Sequence, residues 1–181
     1  MKRSARTALL LAMPALLLGG PALAAVPAPV HTAVPAPRPS IASLQQLPVV
    51  LMQPYDEHAN ADAAVAAAFE RAKKSHKRVM IDLGGNWCVD CVVLANFLKL
   101  PEMQRFMAAH YEMVPVDVGR FDRNQQIAAR FGITARLKGV PALLIATPDG
   151  KLVNGNDIFA TADASSMTPQ ALANYLAKYA N

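Results

Sequence analysis

Cysteine is nearly missing from this 181-residue chain: Cys88 and Cys91 are its only two. A multi-bridge disulfide framework and a cysteine-rich zinc site are both excluded, since neither can be built from one pair. Tryptophan occurs once, at Trp87, and His58, His76 and His110 are scattered without metal-ligand spacing. The excess of positive over negative charge is small beyond the first residues. Lys2, Arg3 and Arg6 belong to the 18 Lys+Arg, and without them the formal +5 falls to +2 (15 Lys+Arg against 13 Asp+Glu). So small an excess leaves no electrostatic footprint for nucleic acid, and no such partner is expected. The one basic cluster, Lys73, Lys74, His76, Lys77 and Arg78, ends a predicted helix, where cations complement the carbonyl end of the dipole. No internal repeat is evident.

What stands at the N-terminus reads as an export address. Lys2, Arg3 and Arg6 form a basic region, Ala8 to Leu18 an apolar stretch, and Ala22-Leu23-Ala24 a small-residue cleavage pattern. The apolar stretch is short for a membrane span, and Pro14 and Pro21 interrupt it. Residues 1–24 are therefore expected to be a signal peptide cut after Ala24 or Ala25, leaving a mature protein that does not span the membrane. The location expected is outside the cytoplasm, the periplasm if the source is a Gram-negative bacterium. Residues 25–47, with prolines at 27, 29, 35, 37 and 39, read as an extended Pro/Ala-rich linker. Residues 48–181 form the expected folded domain.

Within that domain apolar strands alternate with helical patterns. Pro48 to Met52 reads as a short first strand. Asn60 can cap a helix carrying Val65, Phe69 and Ala72 on one stripe. Val79 to Leu83 reads as a buried strand ended by Gly84-Gly85, and Cys88 to about Leu100 as a helix that Pro101 breaks or restarts. Met113 to Val118 is a second strand. Asp122 with Gln125 three residues on resembles a capping box for a helix bearing Ile127 and Phe131. Pro141 to Thr147 is a strand, Pro148-Asp149-Gly150 a turn, and Lys151 to Val153 a returning strand. Thr168-Pro169 opens a last helix, and 154–167 reads as a loop. The expected fold class is α/β, with a central mixed β-sheet flanked by helices on both faces.

The cysteine pair carries the chemistry. A three-residue step closes too small a loop to restrain much chain entropy, so it is a poor staple even in an oxidising compartment. Reversible redox or metal binding is favoured instead. Cys88 is expected at a helix N-terminus, where free N–H groups and the dipole favour thiolate, making it the nucleophile. Cys91, one turn in, would resolve the mixed disulfide. Asp82 is the odd residue in an apolar strand. Its burial should raise its pKa and suit it to accept the Cys91 proton, through water or directly; the rival reading is a polar strand end facing solvent.

Three separated motifs carry a family resemblance: Asp82 six residues before the first cysteine, Trp87-Cys88-Val89-Asp90-Cys91, and Lys138-Gly139-Val140-Pro141 opening the next-to-last strand. From about Asn60 to Ala180 the chain resembles thioredoxin-fold proteins. It is similar in particular to exported thioredoxin-like proteins and to the C-terminal domain of the thiol:disulfide interchange protein. The resemblance implies a proton-accepting role for Asp82 and a cis peptide bond before Pro141. That geometry would let the Val140 backbone pair with an extended substrate. Trp87 is expected to shield one side of the site and touch substrate, with core packing as the rival.

The chain departs from the pattern at two places. Val89-Asp90 stands where thioredoxins have Gly-Pro, and Asp90 should oppose thiolate formation at Cys88 and so tune the pair toward donating electrons. Pro115 stands where thioredoxins often carry a lysine near the buried acid. It suggests an edge strand or a bulge, and a higher pKa for Asp82. The function expected is an exported thiol-disulfide oxidoreductase that reduces disulfides in other proteins, with no cofactor beyond the Cys88–Cys91 pair. A membrane electron-transfer partner is implied, because the compartment is oxidising. The alternative is a copper(I)-binding or delivery module using both thiols, since soft thiolates suit that ion.

Overall fold

A computed structural model describes residues 33–48 and 52–180, all within the unit Thr32–Asn181. The expected signal peptide, the first part of the linker and residues 49–51 of the expected first strand lie outside the described residues. Helix α1 (Ala61–Ser75) starts where Asn60 accepts a hydrogen bond from Ala63 N and stops at His76, which adopts a left-handed conformation (φ 58°). Strand β1 (Arg78–Gly84) follows, then α2 (Val89–Phe97) and α3 (Pro101–His110). The helical stretch after Cys88 is thus two helices, with Pro101 at the first turn of the second, where its missing N–H costs nothing. Strand β2 (Tyr111–Asp117), the short α4 (Gln125–Ala129), β3 (Ala142–Ala146) and α5 (Pro169–Tyr179), capped by Thr168, complete the order.

The sheet is mixed, in the order β2-β1-β3, with β1 parallel to β2 and antiparallel to β3. Strand β1 is buried on both faces, which is why, Asp82 apart, its interior reads as an apolar run rather than an alternation. Val79, Ile81 and Leu83 turn to one side with Val114, Val116 and Leu144, covered by α1 and α4 through Val65, Ala68, Ala72 and Ile127. Met80, Leu143 and Ile145 turn to the other, under Leu94, Phe97, Met103, Leu172 and Leu176 of α2, α3 and α5. Each large side chain so buried contributes on the order of 1.5–3 kcal/mol. Strand β2 is an edge, as Pro115 suggested, and no bulge interrupts its register with β1.

Three local expectations change. Asp122 does not cap α4: its Oδ1 accepts from Arg120 N within the preceding turn, and Asn124 (φ 54°) is the capping position, its amide donating to Asp117 O at 2.7 Å. The returning strand at 151–153 shrinks to a single bridge between Ala146 and Leu152. Thr147 N donates to Lys151 O (2.9 Å) and Val153 N to Ile145 O (2.8 Å) around it, and beyond them the Asn154 side chain takes over, accepting from Ile145 N (2.8 Å) and donating to Leu143 O (2.7 Å) and Tyr175 Oη (2.9 Å). The described part of the Pro/Ala-rich linker is packed rather than free. Val34, Ala36, Ile41, Leu44 and Leu47 join the second cluster, and Ser40 N donates to Glu102 Oε1 at 2.6 Å. Loop 154–167 contains one short 3-10 helix, Ala164–Ser166.

Candidate active site

The site forms where β1 ends and α2 begins. Cys88 is the N-cap of α2: its Sγ accepts from Cys91 N at 3.3 Å and lies 3.4 Å from Val140 O. Both cysteines are in the dithiol form and both are buried. A hydrogen bond from the Cys91 thiol is the largest influence on Cys88 and brings it down to about 7, with the Cys91 backbone N–H adding to the effect. Burial and the Asp90 carboxylate oppose this and lose. Cys91 is pushed far up by donating that hydrogen bond and by burial. One sulfur is thus readied as thiolate while the other keeps its proton.

Asp90 adds to the field at Cys88, but its geometry is set elsewhere. Its Oδ1 accepts from both Ser165 N (2.8 Å) and Ser165 Oγ (2.6 Å), tying the first turn of α2 to the 3-10 helix 75 positions later. The expected opposition to the Cys88 thiolate is therefore present and outweighed.

Asp82 is 1 % exposed, on the strand face that carries Met80, and burial pushes its carboxyl up to about 7. Its Oδ2 accepts from the Tyr55 hydroxyl at 3.0 Å, while Oδ1 has no hydrogen-bond partner among the described residues. Pro115 is its register partner on β2, so no lysine side chain reaches it from that position. A cavity of about 400 Å3 borders Asp82, walled by Leu98, Met107, Met113 and Pro115, with Lys99 and Gln104 also lining it.

Trp87 is 41 % exposed, so core packing does not describe it. Its Nε1 donates to Gly119 O at 2.7 Å, its ring meets Phe121 edge-on, and the Arg120 guanidinium lies over it. The Val140–Pro141 bond is cis, and Val140 is buried against Cys88. All seven residues singled out from the sequence (Asp82, Trp87, Cys88, Asp90, Cys91, Val140 and Pro141) therefore lie around the β1–α2 junction and the start of β3.

Two residues in the site carry no signal in local spacing. Tyr55 places its hydroxyl against Asp82, and the same hydroxyl lies beside Cys91 Sγ over Gly84. Gly84 makes this approach available, because a Cβ there would collide with the Tyr55 hydroxyl and come within 2.9 Å of Cys91 Sγ. Asn86 then clamps the Tyr55 backbone, its Oδ1 accepting from Tyr55 N (3.0 Å) and its Nδ2 donating to Tyr55 O (2.9 Å). Among the described residues, no group of three or more His, Cys, Asp or Glu could hold a metal ion, and no helix is long and apolar enough to cross a membrane.

Comparison with known proteins agrees with this geometry. A family model described as thioredoxin-like matches residues 60–148, which include β1, both cysteines and Pro141. A thioredoxin of Alicyclobacillus acidocaldarius subsp. acidocaldarius is 29% identical over 79 residues, 44% of this chain and 67% of the relative. The crystal structure of a disulphide isomerase from Xylella fastidiosa Temecula1 is 35% identical, with a TM-score of 0.65 over 69% of this chain and 95% of the other.

Proposed function

This chain belongs to the thioredoxin-like family, and on that premise we propose that it is an exported thiol-disulfide oxidoreductase that reduces disulfides in other proteins. The observation that carries the reading is the asymmetry of the dithiol. Cys88 caps a helix as a hydrogen-bond acceptor near neutral pKa, and Cys91 behind it is held protonated. The Cys88 thiolate attacks a substrate disulfide, forming a Cys88–substrate bond and releasing one substrate sulfur. Cys91 then loses its proton and attacks Cys88, leaving the Cys88–Cys91 disulfide and a reduced substrate. Asp82 is the proton acceptor for that second attack. Val140 and Trp87 flank the nucleophile and form the substrate ledge.

Reduction is favoured over oxidation by the value at Cys88. Strong oxidants of this fold hold their nucleophile at about 3.5, because their reduced form is greatly stabilised, and Cys88 at about 7 has no comparable stabilisation. Outside the cytoplasm the pair would need re-reduction, so a membrane electron donor is part of the proposal. Isomerisation is the second reading, favoured by the name of the 35%-identical relative.

The deciding experiment uses the Cys91→Ser variant, which should accumulate mixed disulfides with exported proteins through Cys88. The wild-type protein should reduce insulin disulfides and show a potential near about −270 mV; a value near about −120 mV would overturn reduction as its role. Faster recovery of a scrambled disulfide substrate than of a fully oxidised one would shift the assignment to isomerase. Stoichiometric copper(I) binding with no disulfide reduction would shift it to metal delivery.

A further inference from the structure

The second attack poses a proton problem. Cys91 is buried and held strongly in its protonated form, while Asp82 is the buried carboxyl that has to take the proton. Between them stands the Tyr55 hydroxyl, donating to Asp82 Oδ2 at 3.0 Å and sharing with Cys91 Sγ the space over Gly84, where a Cβ would collide with the hydroxyl and come within 2.9 Å of the sulfur. Its place is fixed from two sides: Asn86, in the loop just before Cys88, clamps the Tyr55 backbone, and Gly84 leaves the space that the hydroxyl fills. The other Asp82 oxygen has no partner among the described residues, and the residue borders a cavity of about 400 Å3 that Lys99 and Gln104 also line. So much space beside a polar group is roomy enough for water.

We propose that Tyr55 is the proton relay between Cys91 and Asp82, and that the cavity beside Asp82 is where this proton leaves for solvent. The proposal rests on the thiol-disulfide exchange reading above. Once substrate is held on Cys88, that sulfur is no longer an anion and Cys91 is released from donating to it. The Cys91 S–H proton passes to Tyr55 Oη as the Tyr55 hydroxyl proton passes to Asp82 Oδ2. The freed electron pair on Cys91 forms the Cys88–Cys91 bond, the Cys88–substrate bond breaks, and its pair leaves on the substrate sulfur as a thiolate. Asp82, now neutral, gives its proton to water in the cavity and is reset. Tyr55 ends the step as it began. Burial and the neighbouring Asp82 and Cys91 hold its pKa well above the usual range, so the hydroxyl passes a proton without standing ionised.

The test separates the two attacks. Reduced protein mixed with excess 5,5′-dithiobis(2-nitrobenzoate) releases one coloured thiolate when Cys88 is captured and a second when Cys91 resolves the mixed disulfide. Tyr55→Phe keeps the ring and removes only the relay oxygen. We expect its first release to stay within about twofold of wild type and its second to slow by about tenfold or more at pH 7, recovering toward pH 9 as hydroxide takes the proton. Asp82→Asn should slow the same release, and the double variant should be no slower than the slower single one, since both interrupt one path. Equal slowing of both releases would make Tyr55 merely structural, and an unchanged second release or multiplicative effects would overturn the relay. Absence of any release from the folded wild-type protein would instead overturn the exchange reading itself.

Discussion

Asp82 and Pro115 are register partners across β1 and β2, so the strand position beside the buried acid presents a ring without charge or N–H donor. The proline is tolerated because β2 is an edge. With Tyr55 as its one hydrogen-bond partner among the described residues, the carboxyl does not offset its desolvation, and it rises to about 7.

That elevation should appear in stability. The unfolded chain releases the Asp82 proton near about 3.9, while the folded protein keeps it until about 7, so the folded state binds more protons between those values. Stability from this group is full below about pH 4 and is lost as pH rises to 7, with a total on the order of 4 kcal/mol. Asp82→Asn should therefore match wild type in urea unfolding at pH 4 and exceed it at pH 8. Parallel pH dependences for the two proteins would contradict this.

The thiol of Cys91 should be what holds Cys88 low. Cys91→Ala removes the largest favourable hydrogen bond and should move Cys88 from about 7 toward the ordinary thiol range near about 8.5. Thiolate absorbance against pH, or the pH dependence of alkylation, measures the shift. An unchanged midpoint would assign the effect to the helix N-terminus instead.

Asp90→Ala should separate two roles. Removing the charge relieves its opposition and lowers Cys88 further. Losing both Ser165 hydrogen bonds should cost about 1–3 kcal/mol in denaturant unfolding. If the Cys88 midpoint instead rises, the carboxylate is not acting on the sulfur through its charge.

Asn154→Ala should be among the more damaging changes remote from the cysteines in sequence. It strands a buried Ile145 N–H, a Leu143 carbonyl and the Tyr175 hydroxyl, though that hydroxyl still donates to Asp157 O. The expected loss is about 2–4 kcal/mol, read from the urea midpoint. A loss under about 0.5 kcal/mol would mean that backbone pairing takes over once the amide is gone.

Much of this arrangement is legible along the chain because it is encoded by neighbours. Asn60 caps α1, Thr168-Pro169 opens α5 and Gly84-Gly85 ends the run after Leu83 through contacts within a few residues, and the structure keeps all three. Cys88 at the start of α2 follows from the same kind of signal. The Asp122 cap failed because a competing local bond to Arg120 N was equally available to it. The strand at 151–153 keeps its backbone bonds to Thr147 N and Ile145 O but stops at one bridge, because the Asn154 side chain takes Ile145 N and Leu143 O next.

By itself, then, the sequence determined the order of strands and helices, the dithiol with Asp82 upstream and Pro141 downstream, and the apolar faces that force a sheet between two helical layers. Tertiary structure alone decided which groups meet those residues. Tyr55 reaches Asp82 across 27 positions, Asn86 holds Tyr55 across 31, and Ser165 holds Asp90 across 75. Periodicity reports only which face a residue occupies, and hydrogen-bond partners so far apart become neighbours only when the sheet and its helices close around them.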